Sequence, residues 1–165
     1  MNYHKIDKCN MVNGAGLRVV IWVAGCTHRC VGCFNPQTHD PQSGIEFDEN
    51  AKNELFEALK NDYISGITFS GGDPLYLGNR QTIGELIAEI KKKFPDKNIW
   101  VYTGYTWEEI KDLDFVKYID VLCDSEYMIL LNDPKKHWVG STNQRVIDVK
   151  KSLDNDKIIL YDDSL

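Results

Sequence analysis

Apolar and polar positions alternate along this chain in two periods. Leu17 to Ala24, reading LRVVIWVA, is a dense β-branched run with no polar position after Arg18, the pattern of a strand covered on both faces. Ile64 to Ser70, Asn98 to Thr103 and Tyr118 to Cys123 repeat the signal as second, third and fourth strands. Between them the period lengthens. Ala51, Leu55, Phe56 and Leu59 recur at helical spacing behind Asp48, an N-cap residue type. Ile83, Leu86, Ile87 and Ile90 share one face of a second helix, whose end carries Lys91 to Lys93, with Pro95 beyond as a stop. Thr106 caps a short third helix from Trp107 to Leu113.

This order of strand, loop and helix predicts an α/β fold with a mainly parallel sheet, because a crossover helix returns the chain to the same edge. After Asp124 the pattern weakens. Val146 to Val149 reads as a further strand; Lys150 to Asp156 is a polar patch, and Lys157 to Tyr161 is a short apolar run suited to an edge strand or a loose tail. The division expected is one domain over residues 1–149 and an extension over 150–165.

The chain is 165 residues long, the size of one domain, and 42% hydrophobic, enough for a real core. Its 19 basic and 25 acidic residues leave a net charge of -6, which offers no positive field to phosphate backbones or anionic lipid, so neither nucleic acid nor membrane is an expected partner. The longest apolar run, Val19 to Gly25, falls far short of the roughly 20 residues of a membrane helix. Met1 to Asn10 is polar throughout, unlike a secretory leader. These features point to the cytoplasm.

The chemistry concentrates between Cys26 and Gly44, a stretch rich in Cys, Gly, Pro, Asn and Thr that lacks periodicity and follows the first strand directly. Of five cysteines, Cys26, Cys30 and Cys33 fall within eight residues as Cys-x3-Cys-x2-Cys. So tight a group cannot staple distant parts of a chain by disulfides; thiolates on a short loop suit a metal or an iron-sulfur cluster. Three sulfurs on a four-iron cluster leave one iron open, and an open position on a metal is where a substrate binds. A structural zinc site remains as an alternative, with His28, Cys9 or Cys123 as fourth ligand. No second cysteine hook follows, which favours the cluster. His28 reads otherwise as a hydrogen-bonding loop residue, and Cys123 as a small core residue.

The cysteine loop after the first strand, with Ser70-Gly71-Gly72-Asp73-Pro74 after the second, resembles the radical S-adenosylmethionine enzymes. Within that superfamily the chain is most similar to the small glycyl-radical activases that serve anaerobic ribonucleoside-triphosphate reductase. The matching segments are Val12 to Arg18, Cys26 to Asn35, Gly71 to Leu75, Trp100 to Tyr105 and Trp138 to Arg145. Gly32 with Phe34 after the last cysteine, and Asp73 in place of the superfamily's Glu, match the activases. Ser125 and Val139 depart from the Gly and Arg usual there, and nothing after Lys150 has a counterpart.

The resemblance implies a small partial (β/α) barrel in which Cys26, Cys30 and Cys33 hold a [4Fe-4S] cluster and the open iron takes S-adenosylmethionine. It implies reductive cleavage of that molecule to methionine and a 5'-deoxyadenosyl radical, which takes hydrogen from a glycine of the reductase. An electron donor such as flavodoxin would supply the reducing equivalent. The implied cofactor contacts are Gly32, Cys33 and Phe34 beside the cluster, Gly71, Gly72 and Asp73 on the turn, and Thr103 on the rim; no catalytic side chain is implied beyond the cluster and cofactor. Other readings of the same residues stay open: a plain strand-to-helix turn for Gly71-Gly72, a core plug for Phe34, and a partner contact or a helix cap for Asn143 and Arg145. Activation of another glycyl-radical enzyme such as pyruvate formate-lyase, or a zinc-stabilised binding module, are the competing functions.

Overall fold

The computed structural model describes residues 1–164; Leu165, the end of the expected extension, lies outside the described residues. The apolar runs form strands β2 (Arg18–Val23), β4 (Gly66–Gly71), β5 (Asn98–Tyr102) and β6 (Val121–Asp124). They pair in that order, all parallel, at the centre of one seven-stranded sheet. On one side β1 (Asn2–Asn10) runs antiparallel to β2 and carries the two-residue β3 (Ile45–Glu46) at the edge. On the other side β7 (Arg145–Asp148) runs antiparallel to β6. The sheet is α/β, mixed and open, with the parallel strands at its heart.

Helices α1 (Glu49–Leu59) and α2 (Arg80–Lys93) form where the apolar spacing places them. Asp48 starts the first by accepting a hydrogen bond from the Ala51 amide at 2.9 Å. The short α3 (Trp107–Ile110) begins with Glu109 accepting the Thr106 amide at 2.7 Å, and it stops three residues short of Leu113. Alternate sheet residues, among them Val19, Ile21, Phe69, Ile99 and Val101, bury against Leu55, Leu59, Ile83, Ile87 and Ile90 of the helices in the main core. The strand period of two sends the intervening residues to the opposite face, where Trp100, Val121, Cys123 and Val139 form a smaller cluster.

Arg18 lies on that second face, fully buried. Its guanidinium donates to Thr68 Oγ1, Asn98 Oδ1 and the carbonyls of Ala15 and Ile67, and it stands 5.3 Å from the Trp100 ring centre. None of these partners is a carboxylate, so burial lowers its pKa to about 10, which still leaves it cationic at neutral pH.

Two expectations change. The polar amino terminus is a full strand, and Lys150 to Asp156 is mostly helix: α4 (Val149–Asn155) follows β7 directly, capped by Asp148 accepting from the Lys151 amide. Beyond it Leu160 makes a single antiparallel bridge to Ile147. No helix among the described residues is long and apolar enough to cross a membrane.

Candidate functional site

All four parallel strands end on one edge, and the loops that leave them build a single concave site there, as open α/β sheets do. The cysteine loop is seated first. Gly25 N donates to Thr38 O at 2.8 Å and Cys26 N to His39 O at 3.1 Å, which folds the loop back on itself. The turn after β4 locks onto it: Gly72 N donates to Val23 O at 2.8 Å and Asp73 N to Gly25 O at 2.7 Å. This contact dictates glycine, because a Cβ on Gly72 would stand 2.6 Å from Gly25 O and 2.8 Å from Thr38 O.

Cys26, Cys30 and Cys33 line one cavity of ≈ 150 Å³ at this edge. Opposite them stand Ser70 to Asp73, Tyr102 to Gly104, Cys123, Ser125 to Tyr127, and Gln144. The loop bends between its cysteines with Arg29 at φ 50° and Gly32 at φ 74°, and Cys33 N donates to Cys30 O at 3.1 Å. Burial raises the Cys26 and Cys30 thiols above their ordinary values, so a bound cation is what would draw them to thiolate.

The donor set fits a cluster better than one ion. Among the described residues no three His, Cys, Asp or Glu side chains converge to hold a single metal ion, yet three thiols surround one cavity. A cluster takes one sulfur at each of separate irons, whereas zinc draws four ligands to roughly 2.0–2.3 Å of one point. His28 is not a spare fourth ligand. Its Nε2 lies 2.9 Å from Asp73 Oδ2 and its Nδ1 is hydrogen-bonded to Glu126 Oε1 at 2.8 Å. The Asp73 contact is close but poorly aligned for a hydrogen bond, and its charge still acts: Asp73 first and Glu126 second push the His28 pKa up to about 9 against the opposing effect of burial. Cys9 is exposed on β1, away from the cavity lining.

Asp73 is fully engaged within the protein. Its carboxylate, 1% exposed, accepts from Leu75 N at 2.8 Å, Gly104 N at 2.9 Å and Thr103 Oγ1 at 2.8 Å. It ties the β4 turn, the β5 end and the cysteine loop together. Asp73 and Thr103, expected as cofactor contacts, thus line the cavity while spending their hydrogen bonds on each other. Gly71 and Gly72 line it as well. Gly32 does not; its side is closed by Ile129, whose Cδ1 would stand 2.7 Å from a Cβ. Phe34 is no core plug: it is 70% exposed at the cavity rim, its ring centre 5.0 Å from that of Tyr127.

Asn143 and Arg145 brace the opposite wall and cap no helix. Asn143 donates to Glu126 O at 2.8 Å. Arg145 pairs with buried Asp124 and reaches Glu108 at 2.9 Å, which drives its pKa upward. Gln144 Oε1 accepts from the amides of Gly140 and Ser141, while its Nε2 donates to Ser125 O. His39, Glu126, Tyr127 and Gln144 carry no local sequence signal as cavity residues; Cys123, read from the sequence as a core residue or a fourth zinc ligand, is buried and also lines the cavity.

A family model described as a 4Fe-4S single cluster domain matches residues 12–147, which contain the whole of this site. The anaerobic ribonucleoside-triphosphate reductase-activating protein of Enterobacteria phage T4 is 47% identical over 146 residues, 88% of this chain and 93% of the relative. This chain belongs to that family of activating proteins. The Vibrio cholerae relative of the same name is 38% identical over 148 residues, covering 87% and 96% of the two chains. The Escherichia coli K12 relative is 39% identical over 150 residues, covering 88% and 97%. Helix α4 and Leu160 lie beyond the matched span.

Proposed function

We propose that this chain activates anaerobic ribonucleoside-triphosphate reductase by raising a glycyl radical on it, with a [4Fe-4S] cluster on Cys26, Cys30 and Cys33 and S-adenosylmethionine as cofactors. One observation carries the reading: three thiols from a single short loop surround one cavity at the carboxyl edge of a parallel sheet, in a chain of the activating family. When bound, the cluster would supply one electron to S-adenosylmethionine, whose carbon-sulfur bond breaks to give methionine and a 5'-deoxyadenosyl radical that takes hydrogen from glycine Cα of the reductase.

The chain's own residues then have separable tasks. The cysteines supply three sulfur ligands and leave one iron free of protein. Gly72 allows the β4 turn to approach the cysteine loop, and Asp73 clamps the turn to Thr103, Gly104 and His28, holding the two cavity walls at a fixed distance. Gly71 and Gly72 offer backbone to the cofactor; Phe34 and Tyr127, their rings tilted 50° to each other, offer aromatic surface to an adenine ring at the rim. Gly32 and Thr103 act here as shaping residues for the loop and the rim. The open sheet of this chain is read as the partial barrel of the radical S-adenosylmethionine superfamily, carried by residues 1–149, with 150–165 as an extension. The electron donor would be a flavodoxin-like protein, and donor, activase and reductase would meet in the cytoplasm.

Anaerobic reconstitution tests this. The wild type is expected to take up four irons per chain and to release methionine and 5'-deoxyadenosine on reduction with S-adenosylmethionine. Replacement of any one loop cysteine, such as Cys30→Ala, should end cleavage. Turnover retained in Cys30→Ala, or a colourless protein with one zinc, would overturn the reading.

A further inference from the structure

Most polar side chains around the cavity are already committed to protein partners: Asp73 and Thr103 to each other, Glu126 to His28, Tyr102 to Trp138 O, and Gln144 to the Gly140 and Ser141 amides. His39 is different. Its Nε2 is buried and has no hydrogen-bond partner, and His39 is among the residues that line the cavity. The other orphaned ring nitrogen there, His28 Nε2, already sits 2.9 Å from a carboxylate. A buried nitrogen left without a partner is costly, and such a group in a functional cavity calls for an occupant that completes it.

The position of His39 says which part of an occupant that is. Its carbonyl accepts the Cys26 amide, and Thr38 O next to it accepts Gly25 N and faces Gly72, so the residue sits where the cysteine loop meets the Gly71-Gly72 turn. The aromatic pair Phe34 and Tyr127 lies at the exposed rim instead. A ligand with one flat aromatic end and one charged end would therefore enter charged end first.

We propose that His39 is a cofactor-binding residue whose Nε2 hydrogen-bonds the charged amino-acid end of S-adenosylmethionine. Imidazole can serve as donor to its carboxylate or as acceptor from its ammonium. The assignment rests on reading the cavity as the S-adenosylmethionine site, and the test separates the two.

Cluster-loaded, oxidised protein is titrated anaerobically with two probes that the cluster cannot cleave in that state: S-adenosylhomocysteine, which keeps the amino-acid end, and 5'-methylthioadenosine, which lacks it. The wild type should bind S-adenosylhomocysteine. His39→Phe should weaken that binding about tenfold, the worth of one hydrogen bond at the upper end of its usual range, and leave 5'-methylthioadenosine unchanged. His39→Gln, which retains a donor and an acceptor, should recover most of the loss. Iron content of each variant is measured alongside. Because a variant could misplace the Cys26 loop, the wild type labelled with ¹⁵N in its histidine rings gives an independent reading: the His39 Nε2 resonance should move with S-adenosylhomocysteine and stay in place with 5'-methylthioadenosine.

Undiminished binding of S-adenosylhomocysteine by iron-replete His39→Phe would overturn the proposal, as would equal weakening of both probes or an unmoved Nε2 resonance. A wild type with full iron that binds neither probe would overturn the cofactor reading itself.

Discussion

Replacing Asp73 with Asn tests whether that carboxylate is the clamp of the site. Nothing changes in size, so packing is constant and only the hydrogen-bond pattern differs. In the native protein Oδ1 accepts from Leu75 N and Thr103 Oγ1, while Oδ2 accepts from Gly104 N and lies 2.9 Å from His28 Nε2. An amide can keep only one of these faces. Either orientation sets an NH₂ group against a backbone N–H at a position 1% exposed. One charge-assisted hydrogen bond is lost and one buried donor is stranded, a combined cost of about 3–4 kcal/mol. With a urea m-value of about 2 kcal/mol/M, the midpoint should fall by about 1.5–2 M. Urea titration of cluster-free wild type and Asp73→Asn, followed by tryptophan fluorescence, reads the shift. A fall of less than about 0.5 M would show that the three donors do not depend on the carboxylate charge, and would return Asp73 to the pool of groups available to a ligand.

Three further outcomes follow from the same geometry. Ser125 holds φ 77°, a left-handed conformation that disfavours side chains, so Ser125→Gly should stabilise the fold by about 0.5–1 kcal/mol and raise the melting temperature by about 2 °C, read by differential scanning calorimetry. Gly72→Ala drives a methyl into two backbone carbonyls and should cost about 2–3 kcal/mol while displacing the cysteine loop, visible as less than half the wild-type iron after reconstitution. Burial pushes the Cys123 thiol up to about 12, so its thiolate is lost as pH falls below that value and amounts to about one part in 10⁴ at pH 8. Iodoacetamide should then label exposed Cys9 and spare Cys123 in the folded protein, with mass spectrometry of the peptides as the readout.

What the sequence disclosed depended on whether the signal was local. The four central strands and two long helices are buried on faces whose period is written in consecutive residues, and they stand within about three residues of their expected ends. β1 was illegible because its residues are mostly half-exposed and polar; it is held by the ladder to β2 rather than by apolar content. α4 was missed for a similar reason, since only Val149 and Ser152 of its seven residues are buried. The three cysteines announced themselves by spacing. Their setting did not. The clamp joins Asp73 to residues about thirty positions away, and His28 meets Glu126 across 98 positions, contacts that only the order of strands creates. His39 has an ordinary loop context in the sequence, and only the fold leaves its Nε2 buried and unpaired. The glycines of the β4 turn were legible as glycines, but the demand on Gly72 comes first from Gly25 and Thr38 of this chain.

The most direct test is electron paramagnetic resonance of the reconstituted protein, mixed without oxygen with anaerobic ribonucleoside-triphosphate reductase, S-adenosylmethionine and a reductant. A carbon-centred radical should appear on the reductase chain, require S-adenosylmethionine, and be absent with Cys30→Ala. A fully reduced, iron-replete protein that leaves the reductase without a radical would contradict the account.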